Sequence, residues 1–248
     1  MTKILLIHKE EKDDKCQKLI IELIENFNAE VVERENFEKS MLKGKDLIIT
    51  LGGDGTFVTA AQITNLPILS INSNLNKSEG ALTKFKIEEK DKIIGLIKNK
   101  NWKIETFPAI EIELNKQKLQ IYAVNEVYVG SYKHYHTSRY KIRYKNKEEE
   151  QKSSGILIST STGSTAWYKS AGGTPFKEQE LKFIIREPYT GNIHKPTILN
   201  GTIQDEFEIK IKNRIGVIVL DSEKEIPVKE NDNIKVRLIK DRIKRIIS

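Results

Sequence analysis

The chain has 248 residues, 38% of them hydrophobic and 31% charged, and carries a formal net charge of +7. That is enough apolar material for one large core or two modest ones, but the apolar runs fall far short of the roughly 20 residues that cross a bilayer. The positive excess invites a nucleic-acid partner. Yet lysines stand beside glutamates, as in Lys9-Glu10-Glu11-Lys12 and Lys145-Asn146-Lys147-Glu148-Glu149-Glu150, which reads as a solvated surface.

Met1-Thr2-Lys3 leads directly into Ile4-Leu5-Leu6-Ile7 without signal-peptide organisation. Cys16 stands alone, so no internal disulfide can form and a cytoplasmic setting is expected. Residues 3–8 predict a strand. Residues 13–26, with Leu19, Ile20, Leu23 and Ile24 at helical spacing, predict a helix. A strand over 30–33, a short helix over 37–42 and a buried strand over 46–50 follow, then a helix over 56–64 and a strand over 67–71. The last helix of this series, 88–98, places Ile93, Ile94 and Ile97 on one face.

From about Trp102 the period changes to two. Ile110, Ile112, Leu114, then Leu119, Ile121, Ala123, Val127 and Val129 alternate with polar residues, and the pattern returns at Tyr140-Ile142-Tyr144, 156–158, 183–185, 207–211 and 217–219. The fold expected is α/β plus all-β. A Rossmann-like α/β domain occupies 1–102, a β-sandwich 103–233, and a segment over 234–248 either ends the sandwich or returns to the first domain.

Three constellations carry chemistry. Leu51-Gly52-Gly53-Asp54-Gly55-Thr56 follows a buried strand, and its glycines let backbone N–H groups approach an anion while Asp54 waits for a hydroxyl proton. Open α/β sheets bind ligands just there, beyond the carboxyl ends of their strands. No G-x-x-x-x-G-K-[ST] occurs, so any phosphate clamp relies on backbone N–H groups, a helix N-terminus and metal. Residues 159–165 (Ser-Thr-Ser-Thr-Gly-Ser-Thr), all hydroxyl-bearing or glycine, precede Ala166-Trp167 and Ser170-Ala171-Gly172-Gly173. They read either as a nucleotide-contacting loop or as a loop that caps a helix at Ser164. Asn125-Glu126 interrupts the apolar run 123–129, and such groups are costly to bury unless paired; the pair suits two ribose hydroxyls, or faces water at a strand edge. His134 and His136 lack a third ligand nearby, so no protein-held metal is expected, and their aromatic hairpin reads as a surface feature.

In this order and at these separations, Gly52 to Thr56, Asn125-Glu126 and Thr162-Gly163-Ser164-Thr165-Ala166 resemble the NAD kinases over nearly the whole chain. The first motif is shared with diacylglycerol and sphingosine kinases; the later two are more specific. The resemblance implies ATP- and Mg-dependent phosphorylation of the adenosine-ribose 2′-hydroxyl of NAD, giving NADP, by a homo-oligomer of at least two chains. It makes Asp54 catalytic and Gly53, Gly55 and Thr56 substrate-binding. Asn125 and Glu126 would hold the adenosine part, and Thr162, Thr165, Ala166, Trp167 and Ser170, with Lys152, would contact the nucleotide. Ser154 stands where an aspartate is common, Trp167 where tyrosine is usual, and residues 72–80 replace a glycine-rich segment. Lys77-Ser78-Glu79-Gly80 and Lys152-Ser153-Ser154-Gly155 look closer to the mitochondrial-type branch. The rival readings are a lipid kinase of the diacylglycerol type, for which no marked amphipathic segment supplies a membrane face, and a non-catalytic nucleotide-binding protein.

Overall fold

Short, fully apolar segments and amphipathic helices alternate through the first part of the chain, and they assemble as a parallel sheet. The computed structural model describes all residues except 1, 10–12, 75–79, 134 and 194. The chain separates into two units, residues 1–107 with 242–248, and residues 108–241.

The first unit contains β1 (Ile4–His8), α1 (Asp14–Phe27), β2 (Glu30–Glu33), β3 (Leu47–Gly52), α2 (Asp54–Ala61), β4 (Pro67–Asn72), the two-residue β5 (Phe85–Lys86) and α3 (Lys90–Asn99). Its parallel strands run in the order β2-β1-β3-β4, with β5 beside the end of β4. Ile4, Leu5, Leu6 and Ile7 are all buried, so the sheet is covered on both faces, as the continuous apolar runs require. Leu19, Ile20 and Leu23 of α1 and Ile93 and Ile97 of α3 close one face together with Leu6, Ile49 and Leu69. Asp13 caps α1 by accepting from the Lys15 N–H at 2.8 Å, and Asn28 ends it in the left-handed region. The helix expected over 37–42 is instead two 3₁₀ turns, 34–36 and 39–42, and α2 begins two residues earlier than the sequence suggested, at Asp54.

The second unit is a sandwich of antiparallel strands. Its strands are β6 (Lys103–Leu114, which begins in the first unit), β7 (Gln117–Lys118), β8 (Glu126–Ser131), β9 (Ser138–Tyr144), β10 (Lys147–Ser153), β11 (Gly155–Ser159), β12 (Leu181–Arg186), β13 (Asn200–Ile203), β14 (Phe207–Ile211), β15 (Ile215–Leu220), β16 (Lys224–Lys229) and β17 (Asn233–Ile247). One layer runs β10-β9-β14-β17 and the other β13-β12-β11-β8-β15-β16. Tyr140, Ile142, Phe207, Ile209 and Val236 of the first layer meet Val127, Val129, Ile156, Ile158 and Phe183 of the second in one buried core. The outer face of the second layer carries Tyr128, Leu157 and Val217, covered by Tyr168 and Phe176. The start of β17 pairs with β14, whereas its end lies parallel to β4, Lys244 and Arg245 opposite Pro67 and Ile68. The helix expected after Ser164 is only α4 (Trp167–Ser170), preceded by a 3₁₀ turn over 163–165.

Candidate functional site

In the first unit, β3 delivers the chain to the glycine turn at the carboxyl edge of the sheet. Gly53, in extended conformation, stands at the N-cap of α2, and Asp54 is its first residue. A Cβ on Gly52 would overlap the Thr56 hydroxyl, so glycine is required there by the turn folding back on itself. Thr56 is buried behind it, while Gly53, Asp54 and Gly55 are half-buried. The Asp54 carboxylate is held in place: Oδ1 accepts from the Leu82 N–H at 2.8 Å and the Thr83 N–H at 3.2 Å, and Oδ2 accepts from the Ala81 N–H at 3.0 Å. A carboxylate offers about four acceptor positions, which leaves one on Oδ2 for a substrate hydroxyl. Asn72 ends β4 alongside Gly52, buried, with its Nδ2 lacking a partner among the described residues. The departure noted at Lys77-Ser78-Glu79 lies outside the described residues.

In the second unit the Asn125-Glu126 pair straddles the start of a strand: β8 begins at Glu126, and Val124 and Asn125 form the bend before it. The cause lies nearly a hundred residues further along. The buried Asp221 carboxylate accepts from the backbone N–H groups of Val124 (3.1 and 2.9 Å), Asn125 (2.7 Å) and Glu126 (3.1 Å). Glu126 is only 5% exposed; Ser222 Oγ lies 3.4 Å from its Oε1, and its Oε2 has no partner among the described residues. Burial, reinforced by the negative charge of Asp221, pushes the Glu126 carboxyl up to about 7, against a smaller opposing pull from the Ser222 hydroxyl.

The Ser/Thr loop is bolted to that bend. The Asn125 carbonyl accepts from the Thr160 N–H at 2.9 Å, the Val124 carbonyl from Thr160 Oγ1 at 2.7 Å, and Thr160 Oγ1 in turn accepts from the Gly163 N–H at 3.2 Å. A Cβ on Gly163 would overlap the Asn125 carbonyl and lie 2.8 Å from the Asn125 Cα, so this glycine answers a close backbone approach. Ser164 is not a helix cap; its hydroxyl donates to the Ser161 carbonyl at 2.7 Å and accepts from the Phe176 N–H at 3.2 Å. Thr162 keeps a buried hydroxyl without a partner among the described residues. Thr165, Ala166 and Ser170 are exposed, and Trp167 is half-buried.

Trp167 stacks on Tyr128 with ring centroids 5.6 Å apart, and the Arg186 guanidinium lies 5.3 Å from the Trp167 ring. Tyr128 also donates its hydroxyl to the Ser154 carbonyl at 2.6 Å, tying Trp167 to the turn after Lys152. Lys152 is half-buried on β10, its own carbonyl accepting from the Tyr189 N–H at 2.8 Å. Thus Asn125, Glu126 and the Thr162 loop are brought together, and Trp167 is joined to the Ser154 turn. Asp221, Tyr128 and Arg186 escaped the sequence reading, because each acts on residues far away in the chain. His136 packs edge-on against Tyr135 at 4.8 Å, and its neighbour His134 lies outside the described residues.

Comparison with known proteins gives the family. The ATP-NAD kinase N-terminal domain matches residues 3–102 and the ATP-NAD kinase C-terminal domain residues 103–246. An NAD kinase of Clostridium botulinum (strain Alaska E43) is 30% identical over 94% of this chain and 81% of its own, and one of Aquifex aeolicus 26% identical over 96% and 90%. Yeast NADH kinase, solved in complex with NADH, superposes with a TM-score of 0.79 at 18% identity, over 100% of this chain and 84% of its own. An NAD kinase from Archaeoglobus fulgidus, solved with ATP, gives 0.73 at 21%, over 99% and 93%.

Proposed function

The chain belongs to the NAD kinase family and phosphorylates NAD, and on that premise we propose that it moves the γ-phosphoryl group of ATP onto the 2′-hydroxyl of the adenosine ribose, with Asp54 as the group that receives the hydroxyl's hydrogen. The observation that carries this reading is the state of the Asp54 carboxylate. It sits at the N-terminus of α2, three N–H donors fix its orientation, and one acceptor position on Oδ2 remains for the attacking hydroxyl. The helix N-terminus and the glycine turn beside it favour the phosphates of the donor. Phosphoryl transfer of this kind asks the protein chiefly to position the partners and to offset developing charge.

Asn125 and Glu126 hold the adenosine part in this reading. With its carboxyl raised to about 7, Glu126 is partly protonated at neutral pH and can donate to one ribose oxygen as well as accept from another. Thr162, Thr165, Ala166, Trp167, Ser170 and Lys152 line the nucleotide, with Trp167 offering its ring face. Mg²⁺ is taken to arrive with the donor as Mg–ATP, offsetting charge on its phosphates. The setting proposed is the cytoplasm, and the working form a homo-oligomer, without nucleic-acid or membrane partners. No helix among the described residues is long and apolar enough to cross a membrane. Neither the lipid-kinase nor the non-catalytic reading is favoured by the family match.

The test is to incubate the protein with NAD, ATP and Mg²⁺ and detect product with a dehydrogenase that accepts only the 2′-phosphate. Dehydrogenase-competent product is expected. A phosphorylated dinucleotide that this enzyme rejects would move the reaction to another hydroxyl.

A further inference from the structure

We propose that Arg245, near the end of β17, is a positioning residue for the Asp54 carboxylate, acting through the two peptide groups that join Ala81, Leu82 and Thr83. The inference rests on the reading of Asp54 as the group that meets the substrate hydroxyl.

Arg245 is 9% exposed, an unusual place for a cation. Its Nε and Nη2 lie 3.2 and 2.6 Å from Glu105 Oε2, and its guanidinium lies 4.6 Å from the centre of the Phe107 ring. Those contacts leave Nη1 aimed at two backbone carbonyls, Ala81 at 3.2 Å and Leu82 at 3.0 Å. The Ala81 carbonyl and the Leu82 N–H belong to one peptide group, and the Leu82 carbonyl and the Thr83 N–H to the next. These are the two N–H groups that Asp54 Oδ1 accepts. Each peptide group is planar and trans, so fixing its carbonyl direction fixes its N–H direction. Two rigid units therefore stand between a guanidinium and a carboxylate, with the cation at their carbonyl ends and the anion at their N–H ends. Hydrogen bonds arranged head to tail in this way polarise one another in a low-dielectric setting. The hydroxyl of the buried Ser70 adds a bond to the Leu82 carbonyl at 3.1 Å. Glu105 aims the arginine, the arginine sets the peptides, and the peptides hold Oδ1 so that Oδ2 faces the substrate.

Within β17, Arg242 provides the control. It too reaches a backbone carbonyl, but that of Thr64. The experiment measures kcat, the KM values for NAD and ATP, and amide exchange at Leu82 and Thr83 in wild type, Arg245→Gln, Arg245→Lys, Glu105→Gln, Arg242→Gln and Asp54→Asn. Arg245→Gln is expected to lower kcat by about tenfold or more, since small misplacements of a reacting group are costly, with KM values moving less than about twofold. The Leu82 and Thr83 amides should exchange faster in it. Arg245→Lys, which keeps the charge but not the fork, should lie between. Arg242→Gln should keep the wild-type kcat, and Arg245→Gln added to Asp54→Asn should cost nothing further. A folded Arg245→Gln with unchanged kcat and unchanged amide exchange overturns the inference, as does an equal loss in Arg242→Gln. Should Arg245→Gln not fold, Glu105→Gln decides: wild-type kcat and exchange there overturn it equally. An inactive Asp54→Asn beside a normal Arg245→Gln would remove this inference alone, whereas a fully active Asp54→Asn would remove the reading of Asp54 as well.

Discussion

At the scale of single residues, each unit presents a carboxylate, and the surroundings of the two differ. Asp54 is surrounded by backbone donors, whereas Glu126 is buried beside a second carboxylate and keeps one oxygen unpaired among the described residues. Raising the Glu126 carboxyl from the ordinary 4.5 to about 7 has a definite sign for stability. Between those values the folded chain binds more protons than the unfolded one, so this contribution is fully present below pH 4.5 and is lost as pH rises through about 7. At about 1.4 kcal/mol per unit the loss is on the order of 3 kcal/mol. Glu126→Gln should therefore flatten the fall in melting temperature between about pH 5 and 8; parallel curves for wild type and variant would contradict the assignment. Asp221→Asn should act in two ways. It leaves one acceptor oxygen for the N–H groups of Val124, Asn125 and Glu126, loosening the bend and raising the KM for NAD, and it removes the charge that helps keep Glu126 protonated. The pH at which NAD binding changes should then move to lower values, measured by calorimetry across the pH range. Nothing near Asn125 in the sequence announces Asp221, because the partner of this bend arrives from the far end of β15.

At the scale of elements, legibility followed burial. The apolar strands of the first unit and the period-two strands of the sandwich were plain, since water is excluded from whole faces of them. β10 was not, and the run 145–150 read as solvated charge. Its inward positions are polar: Gln151 and Ser153 are buried but satisfied, Gln151 Nε2 by the Ile198 carbonyl at 2.8 Å and Ser153 by the Tyr140 hydroxyl at 2.5 Å. A strand whose buried side is made of hydrogen bonds gives no hydrophobic period. The Ser/Thr loop was found by composition, but its lock on the Asn125 bend was not. Gly163→Ala tests that lock. Its Cβ would meet backbone, which cannot rotate away, so a loss of about 2 kcal/mol or more in stability is expected. The KM for NAD should rise as the bend is displaced. A Gly163→Ala protein as stable as wild type would show that the loop and the bend are not packed as described.

At the scale of the whole molecule, an α/β unit and an antiparallel sandwich are built from one chain whose last strand supplies residues to both. The change of period near Trp102 made this architecture readable, and the family match spans it from residue 3 to residue 246. Size and light scattering should give a mass of at least two chains; a monomer at working concentration would contradict the proposed oligomer. The account stands most directly on Asp54. NADP formation from NAD, ATP and Mg²⁺ should be measured for wild type and Asp54→Asn side by side, with NAD binding followed by calorimetry. The prediction is turnover by the wild type, a loss of at least ~10² in kcat in the variant, and NAD affinity retained within about threefold. A folded Asp54→Asn protein that forms NADP at the wild-type rate would contradict it.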